Sequence, residues 1–145
     1  MIRYAAAMLA LFAAPALADD FSANSEAKEW GLIGEEKARF DARVVDLLCE
    51  LTGDCPADCG GGKRQLGLLR SADDVLVLPL KNRQAAFTGA ATDIFPFCGK
   101  DVEVDGVFVG DEDTTAVKYY MVQLIRAQGD AAWTKTSAWP KEWAT

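Results

Sequence analysis

Four cysteines, at positions 49, 55, 59 and 98, restrict what this chain can become more than any other feature. Three of them fall in Cys49-Glu-Leu-Thr-Gly-Asp-Cys55-Pro-Ala-Asp-Cys59, and Gly60-Gly61-Gly62-Lys63-Arg64 follows directly. Paired, they fasten this segment to itself and to a point far along the chain. An even count in an oxidising compartment predicts two disulfides, and four cysteines allow three connectivities. A Cys55–Cys59 bridge is sterically open but closes little chain. A bond from the segment to Cys98 closes a long loop and removes more unfolded-state entropy. The favoured pairing is Cys59–Cys98 with Cys49–Cys55, and the rival is Cys49–Cys98 with Cys55–Cys59.

The compartment argument rests on the start of the chain. Met1-Ile2-Arg3-Tyr4 is a short positive region, and Ala5 to Ala14 is an apolar run. Pro15 and the small-residue site Ala16-Leu17-Ala18 come before Asp19-Asp20. These are the parts of a secretory signal peptide spanning 1–18, with cleavage after Ala18. The competing reading, an uncleaved anchor, is disfavoured because a span needs roughly 20 apolar residues. The expected location is the periplasm. The formal net charge is −7, and cleavage removes Arg3 and no acid, so the mature chain is one unit more negative. Such a surface disfavours nucleic acid and anionic lipid and suits an unknown protein or small-molecule partner. No membrane span is expected after cleavage. The length fits one ordinary domain.

Residues 19–37 form a polar lead-in, for which a short helix around 24–37 is expected, weakened by Gly31 and Gly34. From Ala38 the pattern turns strand-like. Phe40, Ala42 and Val44 alternate with Asp41 and Arg43, and Val44 to Cys49 is more continuously apolar. Gln65–Arg70 and Val75–Leu80 are apolar runs joined by Ser71-Ala72-Asp73-Asp74, a hairpin pattern. Pro79 belongs at an edge or bulge. Residues 88–99 read as one or two helical turns, capped by Thr88 and ended or distorted by Pro96. Val102–Phe108 alternates apolar and acidic residues, a half-buried strand. Val117–Ile125 is a strand with neither face polar, so something must cover its outer side. The tail 129–145, with Trp133, Trp139 and Trp143, is the expected cover. A helix between the third and fourth of five strands is the order of the OB-fold, a small Greek-key barrel. The predicted class is therefore mainly β, a five-stranded OB-like barrel over 38–128, with an open α+β sandwich as the alternative.

The sequence also resembles small secreted bacterial OB-like proteins over about residues 38–126. The resemblance is carried by Val44-Val-Asp-Leu-Leu-Cys49, the clustered cysteines, Gly62-Lys-Arg-Gln-Leu-Gly-Leu-Leu69, and Gly99-Lys-Asp-Val-Glu-Val-Asp-Gly106. In those proteins a cysteine ends the first strand, and a cysteine-bearing loop leads into a Gly-Leu-Leu second strand. The resemblance implies a fold and a binding or accessory role, with no known activity.

There is no histidine in the chain. That removes Ser-His-Asp and Cys-His catalysis, His-ligated haem and His-containing zinc sites. Thiolate chemistry, carboxylate chemistry and plain binding remain. The leading expectation is a disulfide-stabilised binding or accessory protein with no catalytic residues and no cofactor. One alternative is copper or zinc handling by Cys49, Cys55, Cys59 and Cys98, since thiolates select soft ions. Another is thiol–disulfide exchange, with Lys63 and Arg64 lowering the Cys59 thiol pKa.

Gly60, Gly61, Gly62, Lys63 and Arg64 form a candidate anion loop. They miss the phosphate-loop pattern at Ala57 and Arg64, and the bland reading is that the glycines serve backbone geometry. Asp111, Glu112 and Asp113 lack the alternating spacing of a calcium loop. Asp54 and Asp58 read as solvent-facing. Trp133, Trp139 and Trp143 form a candidate partner surface, able to stack a sugar or base if they do not pack on the barrel.

Overall fold

The computed structural model describes residues 20–80, 93–110 and 118–136. Strand β1 (Glu36–Asp46) is followed by helix α1 (Leu47–Thr52), β2 (Leu66–Arg70), β3 (Leu76–Leu80), β4 (Asp101–Val109), β5 (Lys118–Ala127) and the short β6 (Thr134–Lys135). The strand order is β3-β2-β1-β4-β5-β6, and β3 also pairs in parallel with β5. That last pairing closes the first five strands into a barrel. Every other pairing is antiparallel, including β1 with β4. This is the expected OB-like arrangement. The expected helical segment between β3 and β4 is described from Asp93 on and ends as a tight turn at Phe95–Phe97 around Pro96. Thr88, its expected cap, lies outside the described residues.

Alternation places Ala38, Phe40, Ala42 and Val44 of β1 inside, against Leu66, Leu68, Val77, Val102, Val104, Tyr120, Val122 and Ile125. Phe40, Phe108 and Tyr120 pack as a trio with ring centroids 4.8–5.7 Å apart. The Tyr120 hydroxyl donates to the Ala38 carbonyl at 2.7 Å. Burial, reinforced by Asp105, pushes its phenol well above the ordinary range. Arg70 is also buried, over the rings of Phe21, Phe40 and Phe108, and its guanidinium grips Asp73. Arg70's hydrogen bonds hold the Asp73 carboxyl below its usual value.

The β4–β5 register shifts at Asp105/Gly106, which leaves Gln123 as an extra residue in β5. Pro79 pairs with Tyr120 of β5, past the last β2–β3 pair at Val77, so its missing N–H costs that ladder nothing.

Two local expectations fail. Residues 24–35 form turns and extended chain in place of a helix. Gly31 and Gly34 take left-handed φ values of 73° and 68°. The Glu35 carboxylate accepts hydrogen bonds from the amides of Trp30, Gly31 and Leu32, groups that a helix would have used internally. The run Val44–Cys49 also does not stay extended. β1 stops at Asp46, whose side chain accepts from the amides of Leu48 and Cys49 and starts α1. Cys49 therefore lies in a helix and does not end a strand.

The outer side of β5 is covered at Met121, together with Val107 of β4, by the lead-in, where the sequence reading placed the tail. Ala27 is buried there, with Trp30 and Leu32 packed beside it. The Gln123 carboxamide pairs with both the N–H and C=O of Lys28. Buried Asp105 accepts from Ser25, the Glu26 amide and Arg39. Farther along β5, the tail adds β6, and Thr136 is buried with bonds to the carbonyls of Val122 and Gln123.

Candidate functional site

The loop between β1 and β2 is held at several points. Asp46 caps the start of α1. Gly53, at φ 77°, closes it by donating its N–H to the Cys49 carbonyl. Cys49 is bonded to Cys55, six residues on. Arg64 reaches back to the Asp54 carbonyl at 2.8 Å, to the Asp54 carboxylate at 2.7 Å and to Asp46 at 3.4 Å. The hydrogen bond it donates to the Asp54 carboxylate, aided by Asp46, raises the Arg64 pKa.

Asp58, Cys59, Gly60, Gly61 and Gly62 then run in the left-handed region, with φ between 48° and 80°. Such a run costs an ordinary residue roughly 1–2 kcal/mol per position, which explains the triple glycine. Cys59 stays in this conformation buried against the core and bonded to Cys98. Both favoured disulfide pairings are thus present. The four sulfurs weighed as ligands for copper or zinc are all engaged in these bonds.

This loop borders the outer face of β2 and β3, the surface on which OB barrels carry ligands. Inward Leu66, Leu68 and Val77 leave Gly67, Leu69, Leu76 and Leu78 on the outside, with Leu80 packed against the Ala27, Val107 and Met121 cluster under the lead-in. A Cβ built on Gly67 would meet the side chains of Leu76, Leu47 and Val45 at 3.1–3.4 Å, so these side chains close over the glycine as one apolar cluster. Leu69 lies directly opposite Leu76, and Leu78 opposite Tyr119. Leu47 and Leu51 are one helical turn apart on α1, which extends the surface onto the loop.

Four large apolar residues are exposed among the described residues: Leu48 (45%), Leu51 (62%), Tyr119 (40%) and Ile33 (84%). The first two stand at the α1 end of this face. Tyr119 stands at the other end, opposite Val109, and the turn carrying Ile33 bonds to the adjacent Gly110. Exposed acids Glu50, Asp58 and Asp74 lie on the loops around the face, and exposed Arg43, paired with Asp101, borders it beside Leu69.

A second, polar concavity of 570 Å³ lies between the lead-in and the barrel, lined among others by Phe21, Asn24, Glu26, Arg39, Asp41 and Glu103. Its charges largely answer one another. Arg39 binds Asp105, and Arg126 binds Glu103. Asp41 stands directly opposite Glu103 in the β1–β4 register.

The candidate anion loop is divided. Arg64 folds over Gly60, where a Cβ would sit 2.7 Å from its Cγ, and turns to Asp46 and Asp54, away from any nest of glycine amides. Lys63 remains exposed. Trp133 is half-buried beneath the guanidinium of Arg126, 4.2 Å from its ring centre, with Arg39 at 5.2 Å. Trp139, Trp143, the acidic run 111–113 and the leader lie outside the described residues. Among those described, no group of histidine, cysteine, aspartate and glutamate is placed to hold a metal, and no helix is long and apolar enough to cross a membrane.

Sequence reasoning singled out the loop but missed the β2–β3 face. Its signal was present in Leu69, Leu76 and Leu78, apolar residues at outward positions of strands whose inward positions were already apolar. Comparison with family models, with curated proteins and with solved structures finds no match to this chain.

Proposed function

We propose that this is a non-catalytic accessory protein of the periplasm that docks a partner protein on the outer β2–β3 face and α1. The single observation that carries the reading is the apolar cluster on that face. Leu47, Val45 and Leu76 crowd around Gly67, Leu69 stands beside Leu76 with Arg43 on its other side, and exposed leucines and a tyrosine lie at the ends of the face. Contiguous exposed apolar surface with a polar rim is characteristic of interaction sites. The rim carries Glu50, Asp58 and Asp74, its cation Arg43 is answered by Asp101, and the whole chain is acidic at −7. Charge complementarity therefore calls for a partner segment with apolar anchors and basic flanks, steered electrostatically to its dock. The two disulfides fit an oxidising compartment. A leader of the kind read in residues 1–18 would deliver the chain there.

The test uses a fluorescent leucine-rich peptide flanked by lysines and a counterpart flanked by glutamates. The basic peptide is expected to bind at least about tenfold more tightly, to weaken with salt, and to lose about tenfold on Leu51→Asp. Equal affinity for the two peptides, or no effect of Leu51→Asp, refutes the docking face.

A further inference from the structure

We infer that Cys49–Cys55 is a reducible switch that governs whether α1 holds its shape, and through it the docking face; the second half of this rests on the reading of that face. The two disulfides sit in different surroundings. Cys59 is buried in the core cluster, and Cys98 packs against it. Cys55 is exposed, and Cys49 lies on the rim of a helix that buries none of its residues. A reductant reaches the Cys55 sulfur from solvent, whereas Cys59–Cys98 becomes accessible only when the barrel end opens. Exposed disulfides are the labile ones.

The bond also has something to control. A helix of six residues does not sustain itself in water. The disulfide ties its third residue to a position two beyond its closing glycine. Without it, α1 keeps Leu47, anchored beside Val45 and Leu76 with its amide bonded to the Gln65 carbonyl, and beyond that residue the Asp46 cap, the Thr52 hydroxyl bond to the Leu48 carbonyl, the Gly53 closure and the Arg64 grip on Asp54. From Leu48 to Thr52 none of these contacts buries apolar surface. Loosening α1 would take Leu48 and Leu51 out of register with Leu47 and the sheet, while the barrel keeps its own staple.

The chemistry is ordinary thiol–disulfide exchange with a protein dithiol of the thioredoxin-like class. One of its thiolates attacks the Cys55 sulfur, the Cys49–Cys55 bond breaks, and Cys49 leaves as a thiolate that takes up a proton. The second thiol of the reductant then attacks the mixed disulfide. It frees Cys55 as a thiol and leaves the reductant oxidised. Two electrons and two protons have passed to this chain, and a disulfide oxidant reverses the step.

The experiment treats the whole folded protein with graded dithiothreitol, alkylates free thiols, maps them by mass spectrometry and follows amide exchange in the same samples. Cys49 and Cys55 are expected to be labelled together at least about tenfold faster than Cys59 and Cys98. Over the same interval, protection over residues 48–53 should fall by at least about tenfold while the barrel strands stay protected. The Cys49→Ser/Cys55→Ser variant should show the loosened α1 without reductant. Simultaneous reduction of both disulfides, or selective reduction with residues 48–53 still protected, overturns the switch. Neither readout involves a partner peptide, so a failure of the docking face is seen separately.

Discussion

At the scale of single residues, Gly106 shows how tightly the barrel wall is specified. It lies inside β4 at the register shift, with its missing side chain facing the β5 backbone. A Cβ there would sit 2.1 Å from the Met121 carbonyl oxygen and 3.0 Å from the Tyr120 ring. Neither can retreat, because Tyr120 is buried with its hydroxyl bonded to Ala38 and Met121 is held in two ladders. Gly106→Ala is therefore expected to destabilise the fold by about 3 kcal/mol, at the upper end for overpacking, measured by urea unfolding. A cost within about 0.5 kcal/mol, the size of a neutral surface change, would show that the bulge relaxes. The neighbouring Gln123 makes the related point for polar groups. Displaced from the ladder, it spends its carboxamide on the Lys28 peptide and its carbonyl on Thr136, so one extra residue anchors both terminal segments.

At the scale of elements, the strands were legible and the connections were not. Period-two alternation located β1 and β4, because burial of one face writes itself into side-chain type every second position; a run apolar on both faces located β5, and the turn residues 71–74 located the β2–β3 hairpin. The same rule misread Val44–Cys49. A short apolar run carries no period of its own, and the decisive signals were Asp46 as a cap and Gly53 as a stop. The lead-in failed differently. Its conformation is set by distant partners, Asp105 and Gln123, whose claims on the backbone of residues 25–28 no local pattern records.

For α1 the cap is a testable cause. Asp46→Ala removes the acceptor for the Leu48 and Cys49 amides and should cost about 1 kcal/mol. Asp46→Asn, which keeps a capping oxygen but loses the charge facing Arg64 at 3.4 Å, should retain most of that stability. Equal losses in the two variants, compared by chemical denaturation, would assign the effect to the ion pair and not to the cap.

At the scale of the whole molecule, the two disulfides divide labour between fold and surface, and chain topology states the division in numbers. Cys49–Cys55 spans six residues and Cys59–Cys98 spans 39. In the loop-entropy account the first stabilises by about 2 kcal/mol and the second by about 4. The longer bond also joins the left-handed turn after α1 to the segment entering β4, two points that backbone ladders do not otherwise connect. The choice between connectivities could be argued from sequence only through loop length. The structure adds the reason, since Cys59 is fixed in the left-handed region and buried against the same core as Cys98.

Replacing Cys59 and Cys98 together by alanine is then expected to cost about 2 kcal/mol more than replacing Cys49 and Cys55 together, on the same entropy scale. Equilibrium unfolding in urea measures both. The slopes against denaturant should rise in each variant as the unfolded chain is released, more so for the longer loop. If the short-loop variant proved the less stable of the two, α1 and its disulfide would be part of the barrel's own support. The surface role argued for them would then fail with it.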